Sequence, residues 1–174
     1  MPDRPRRPET ERDRLRRISI LNARLPKKRT IAQGVLRNPA GEVLLCELSY
    51  KKEWDLPGGV VDPGESPATC VEREVEEELG IDVSVGRLLA VNWLPPWRGW
   101  DDAILYLFDL GTHETGELDP RRFLRREIAG AHWVSAGAAG EHVAPYTARM
   151  VELAVDAPVP LYLENSEPVD GRVR

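Results

Sequence analysis

Five of the nine residues in EREVEEELG, 72–80, are glutamate, and the others are Arg73, two aliphatics and a glycine. On a helix, Glu74, Glu77 and Glu78 fall at i, i+3 and i+4 and share one face, while Ala68, Val71, Val75 and Leu79 form the neighbouring apolar stripe. As a purely structural feature the cluster is misplaced. Like charges at these offsets repel, and glutamates in a last turn meet the negative end of the helix dipole. A hard divalent cation reverses that balance, because Mg²⁺ takes carboxylate oxygens and keeps its other positions for water and substrate phosphates. Arg73, next to Glu74 and four residues before Glu77, is placed to hold carboxylates in orientation. The expected chemistry is therefore that of a bound divalent cation whose remaining positions are open to water and substrate phosphates.

Several elements must position this face. The helix is expected over 67–79: Ser66-Pro67 supplies an N-cap and a proline in the first turn, and Gly80 stands where a helix ends. Upstream, RTIAQGVLRN and EVLLCELS read as a hairpin joined by NPAG, followed by the loop SYKKEWDLPGG. Gly58 and Gly59 let the backbone come close to the glutamate site. Downstream, IDVSVGRLLAVNW, DDAILYLFDLG and EIAGAHWVS read as strands, and PYTARMVELAVD as an amphipathic closing helix.

Residues 59–81 run GVVDPGESPATCVEREVEEELGI, with Gly59, Glu65, Arg73-Glu74-Val75, Glu77-Glu78 and Gly80-Ile81 at fixed separations. This segment resembles the Nudix box, and the chain is similar to the Nudix hydrolase family. The resemblance implies a single-domain α/β fold, an α/β/α sandwich around a mixed β-sheet, over residues 29–158. Residues 1–28 then form a basic N-terminal arm, flexible or dimer-contacting, and 159–174 a C-terminal tail. It also implies hydrolysis of a diphosphate linkage in a nucleoside diphosphate derivative, with Mg²⁺ as cofactor and Mn²⁺ as substitute. By the same resemblance Glu74, Glu77 and Glu78 hold the metal, and Glu127, six residues before Trp133, adds a ligand or general base. Arg73, Glu77, Glu78 and Glu127 form the catalytic set, with Glu114 and Glu117 in reserve. Glu65 structures the loop or helps a metal. Relatives pair through sheet edges or N-terminal segments, so a homodimer is consistent with the resemblance.

Substrate preference rests on fewer residues. Trp93, Trp97 and Trp100 fall within NWLPPWRGW, where indoles can stack on a base or equally pack in the core or a dimer contact, and Arg98 can meet a phosphate or ribose; Trp97, Arg98 and Trp100 are the expected substrate contacts, with Gly58 and Gly59. Pro96, fifteen residues past Ile81, matches a tendency of ADP-ribose pyrophosphatases within the family, so ADP-ribose or a nucleotide sugar is favoured over a nucleoside triphosphate. A catalytically silent nucleotide-binding module is disfavoured by the intact box. His113, His132 and His142 have no convergent spacing and read as surface or core residues.

Composition bounds these readings. At 174 residues, 41% hydrophobic and 30% charged, the chain has one domain's worth of ordinary globular sequence. Its longest apolar run, AILYLF, is too short to span a bilayer, and the basic N-terminus lacks the apolar core of a secretory signal, so a cytoplasmic protein without membrane partner is expected. Residues 1–29 carry eleven Lys and Arg against four Asp and Glu, net +7, which leaves −12 on the remainder of a chain at −5. An acidic body of that charge argues against nucleic acid as partner.

Overall fold

The computed structural model describes residues 9–169. Helix α1 (Glu11–Arg24) precedes the strands β1 (Arg29–Arg37), β2 (Val43–Leu48) and β3 (Gly58–Val60). Helix α2 (Pro67–Leu79) follows, then β4 (Leu88–Leu94), β5 (Ala103–Thr112), β6 (Ile128–Val134), the short α3 (Ala136–Ala139), α4 (Pro145–Ala154), β7 (Leu161–Glu164) and β8 (Glu167–Pro168). One mixed sheet runs β6-β2-β1-β5-β4-β7-β8, with β3 also paired to β1. β1 lies parallel to β5 and β4 parallel to β7, and the other pairings are antiparallel.

Pleat alternation sends side chains to two cores, one on each face of the sheet. Ala32, Leu36, Leu44 and Cys46 meet Val71, Val75 and Leu79 of α2. Val35, Val43, Leu45, Leu105 and Leu107 meet Met150, Val151 and Ala154 of α4. The result is the expected α/β/α sandwich.

One edge of β1 is shared. β2 pairs with β1 only where the hairpin closes, at Arg37 and Val43. Farther along, residues 54–60 wedge into the fork between them: Cys46 and Asp55 exchange backbone hydrogen bonds at 2.8 and 3.0 Å, the Gly34 N–H donates to Pro57 O at 3.0 Å, and Gly58 lies opposite Gln33. Gly58 sits at φ +131°, and any Cβ there would collide with the Ala32 carbonyl. That glycine serves the close approach of two strands.

Both chain ends carry structure, and one expected strand is corrected. Residues 11–24 of the arm form a helix, because Thr10 and Asp13 make a reciprocal capping box and Arg24 sits in the last turn. The helix has no buried residue, and its Leu15, Ile20 and Leu21 are exposed. The first eight residues lie outside the described residues. At the other end, within the expected tail, β7 extends the sheet beside β4 and β8 folds back on it; the last five residues lie outside the described residues. Finally, the strand expected from Ile81 begins only at Leu88. Ile81 and Val83 are buried without ladder partners, and the Val85 N–H donates instead to Glu72 Oε1 at 2.8 Å.

Because α1 buries nothing, removal of residues 1–24 should leave the melting temperature within about 2 °C, the shift expected for less than 1 kcal/mol. A larger fall in scanning fluorimetry, or a change of mass in light scattering, would assign the helix a structural or assembly role.

Candidate active site

Helix α2 starts as its sequence demands. Ser66 Oγ accepts from the Thr69 N–H at 3.1 Å, Pro67 fills the first turn, and Gly80 closes the helix in the left-handed region at φ +69°. The last turn carries no basic residue, so Glu76, Glu77 and Glu78 stand uncompensated by the helix itself.

Arg73 supplies the compensation from the side. Its Nε and Nη2 grip Glu65 at 2.8 and 3.2 Å, Nη2 reaches Glu74 Oε1 at 3.0 Å, and Nη1 reaches Glu77 Oε2 at 3.3 Å. The Glu65 carboxyl, hydrogen-bonded by Arg73 and by the Asp62 N–H, is held down at about 2. Gly59 makes room for this cluster, since a Cβ there would lie 2.6 Å from Glu74 Oε1. The two glycines thus do different work, Gly58 at the strand and Gly59 at the carboxylate.

Glu78 is the anomaly. It is 6% exposed, and among the described residues its carboxyl has a single hydrogen bond, from the Gly58 N–H to Oε2 at 3.3 Å. Burial pushes its carboxyl up to about 8, and the nearby charges of Glu74, Glu127 and Asp55 push the same way. Glu74 is also raised, chiefly by burial. A buried carboxylate without a countercharge is costly, and a hard cation beside it removes that cost.

Glu127 reaches this neighbourhood from a loop tied down by its backbone. The Leu124 N–H donates to Glu78 O at 2.9 Å, the Glu127 N–H to Leu124 O at 2.8 Å, and the Ser49 N–H to Glu127 O at 2.9 Å. Its charge raises Glu74 and Glu78, while Oε1 accepts from Arg126 at 2.9 Å. Glu114 and Glu117 lie elsewhere. Glu117 pairs with His113, whose backbone bonds Arg37 at the far end of β1.

Among the described residues, no three acidic, histidine or cysteine side chains stand at ligating separations. Glu77 is 54% exposed and turned to Arg73, whereas Glu78 points inward to Gly58. The donor set nevertheless fits Mg²⁺ or Mn²⁺: it consists of oxygens only, includes one buried carboxyl poised to lose a proton, and offers both exposed and enclosed positions.

The expected substrate contacts divide. Gly58 and Gly59 line the site. Trp97 and Trp100 pair across the turn formed by Arg98 and Gly99, both at positive φ, and are 67% and 63% exposed, which rules out core packing for them. The Arg29 guanidinium lies 4.8 Å from the Trp100 ring centroid, and Arg98 lies 5.3 Å from that of Trp97. Pro96 is exposed in the same loop. Sequence spacing also missed two groupings. Trp54 is sandwiched between His132 and His142 at 4.3 and 4.1 Å, residues 78 and 88 positions downstream. Gln33, Lys51 and Asp55 are joined by hydrogen bonds beside the glutamate site; of the three, only Asp55, just before the Leu-Pro-Gly-Gly turn, carried a positional signal.

In metal-free protein a folded Glu78 at about 8 keeps a proton that the unfolded chain loses near its usual 4.5. Stability from this group is fully present below 4.5 and is lost as pH rises through 8. Glu78→Gln should therefore melt higher than wild type at pH 8 and equally at pH 4.5, with Mg²⁺ closing the gap at pH 8. Turnover should fall by about 100-fold or more. Near-normal turnover at saturating Mg²⁺ would remove Glu78 from the metal site.

Comparison with known proteins places this geometry. Residues 27–154 match the family model of the NUDIX domain. Among curated proteins, the chain is 38% identical over 55 residues to the 8-oxo-dGTP diphosphatase of Haemophilus influenzae, an alignment that covers 29% of this chain and 40% of that protein. It is 33% identical over 116 residues to the RNA pyrophosphohydrolase of Yersinia pestis (strain Pestoides F), covering 58% of this chain and 66% of that protein. The chain thus spans less than two thirds of the length of these relatives. In fold it is similar to the crystal structure of a UDP-X diphosphatase, with a TM-score of 0.65 and 17% identity over 89% of this chain and 76% of that one. With a family model matched across most of its length and the box glutamates gathered on α2, the chain belongs to the NUDIX domain family.

Proposed function

We propose that the protein hydrolyses a diphosphate linkage in a nucleoside diphosphate derivative, ADP-ribose or a nucleotide sugar, with Mg²⁺ as cofactor and Mn²⁺ as substitute. The observation that carries this reading is the buried Glu78 carboxyl, raised to about 8 beside Glu74 and Glu127. It is a site built to hold negative oxygens that only a cation can balance.

Glu74, Glu77, Glu78 and Glu127 would hold the metal. When bound, it supplies charge neutralisation for the diphosphate and lowers the pKa of an attacking water. The chain's own residues do the rest. Arg73 holds Glu74 and Glu77 against their mutual repulsion, so the carboxylates need little reorganisation when the cation arrives. The Gly58 N–H fixes one oxygen of Glu78. Glu127, carried on a loop bonded to the end of α2, would take the proton from water. On the substrate side, Trp100 backed by Arg29, and Trp97 backed by Arg98, offer exposed faces for a base or sugar.

A second reading, nucleoside triphosphate pyrophosphohydrolysis, is favoured by the names of the curated relatives, one acting on 8-oxo-dGTP and the other on RNA. A panel of ADP-ribose, UDP-sugars, dinucleoside polyphosphates and dNTPs, incubated with Mg²⁺ or Mn²⁺ and resolved by anion-exchange chromatography, separates the two. Release of a nucleoside monophosphate and a sugar phosphate from the first two substrates supports the proposal. Pyrophosphate from dNTPs alone would replace it with the second reading, and no product from any member would sink both.

Two variants bear on the roles. Glu127→Gln should lower kcat by about 100-fold, as expected for loss of a general base, with KM little changed; unchanged kcat would return Glu127 to a surface role. Trp100→Ala should raise KM by about tenfold, the worth of one stacked base, and leave the melting temperature unaltered because the ring is exposed. A fall in melting temperature with constant KM would reassign it to structure or assembly.

A further inference from the structure

The face of the sheet that carries α4 holds buried polar groups for which the diphosphate site has no use. Gln33, 6% exposed, donates Nε2 to Asp55 Oδ1 at 2.9 Å, while its Oε1 is buried without a partner. Asp55 also accepts from Lys51 Nζ at 2.7 Å and from the Leu56 N–H at 3.0 Å. A carboxylate can only accept, so the Gln33 amide is locked with its nitrogen toward Asp55 and its oxygen turned away.

The surroundings repeat the pattern. Arg29, on the same face of β1 two pleats earlier, donates Nη2 to Asp101 O at 3.4 Å, but its buried Nε has no partner. The Tyr146 hydroxyl, in the first turn of α4, is raised by burial and by the charge of Asp55 and lowered by the neighbouring Thr147, whose Oγ1 has no hydrogen-bond partner of good geometry. Of the four such side-chain atoms among the described residues, three belong to this face; the fourth, on Trp133, belongs to a residue packed on the α2 side. Gln33 lies directly opposite Gly58, whose N–H bonds Glu78. The backbone that carries the unused acceptor is therefore the direct ladder partner of a backbone that holds the glutamate site.

We propose that Gln33 is a specificity-determining acceptor for the nucleobase, receiving an N–H of the base's amino edge, with Asp55 and Lys51 as the residues that position its amide. The inference rests on the reading that the substrate is a nucleotide derivative. A buried acceptor left unpaired is expensive, so a base that brings a donor relieves it, whereas a base that brings a carbonyl sets two acceptors against each other. Sites of this kind reject an analogue that lacks the donor far more strongly than apolar pockets reject a change of size. Exposed Lys51 and half-buried Tyr146 both neighbour Asp55, so the pair lies close to the surface of this face.

The test is equilibrium binding of mononucleotides by calorimetry, which needs no turnover. AMP is compared with purine riboside 5′-monophosphate, which lacks the 6-amino group, and GMP with IMP, which lacks the 2-amino group. Wild type should bind the amino-bearing member of at least one pair about tenfold or more tightly. Gln33→Met, close in shape, should bring that ratio within about twofold while Mn²⁺ binding, read by electron paramagnetic resonance, stays unchanged. Asp55→Asn, which frees the amide to turn over, should reduce the ratio as well and answers the question if Gln33→Met fails to fold. Equal binding within both pairs, a ratio that survives in the variants, or no binding of any of the four overturns the proposal. Discrimination without hydrolysis of any panel substrate would remove the proposed reaction and leave the base site standing; hydrolysis with flat ratios would do the reverse.

Discussion

The structure depends on one electrostatic arrangement, the grouping of carboxylates on α2 around the guanidinium of Arg73. Left alone, Glu74, Glu77 and Glu78 would weaken the helix that carries them, since they repel one another and oppose the dipole of its last turn. Arg73 spreads its five donors over Glu65, Glu74 and Glu77, which joins the loop before the helix to the helix body. Glu78 is left out of this sharing. It is the carboxyl whose charge the protein itself does not balance, because burial and the neighbouring carboxylates both act against its ionisation.

The rest of the fold answers to that arrangement. Glycine is needed twice in succession for unrelated reasons, once so that β3 can lie against β1 and once so that Glu74 can lie against β3. The loop carrying Glu127 is bonded to the last turn of α2, so a residue distant in sequence is held by the same helix end that carries Glu78. Apolar packing on both faces of the sheet then fixes the strands that these contacts require.

Much of this was legible in the sequence because it is local. The Ser66-Pro67 start, the Gly80 stop and the 3.6-residue apolar stripe specify α2 within a single segment, and the glutamate offsets follow from it. The β1–β2 hairpin is announced by Asn38, whose side chain accepts from the Ala40 and Glu42 N–H groups at 3.0 and 2.9 Å in the turn. What escaped notice is long-range. Nothing near Gln33 indicates that Asp55 will fix its amide, and Trp54 gives no sign of the two histidines that stack on it. The joining of β7 to β4 was hidden for the same reason, since parallel pairing across some seventy residues has no local signal. The capping box of α1 was local and readable, but the density of arginines around it obscured the pattern.

The fork in which residues 54–60 sit between β1 and β2 has a consequence for how such a site can change over evolution. A closed sheet is a wall, and whatever binds one face has no access to the other. Here one seam of the wall is filled by residues 54–60 rather than by direct pairing of β1 with β2, with the α2 carboxylates on one side and Gln33, Asp55 and the start of α4 on the other. In the proposed reading, bond breaking and molecular recognition fall on opposite faces, supported by different helices and different cores. Substitutions that retune what is recognised can accumulate on the α4 side without disturbing the packing that aligns the glutamates.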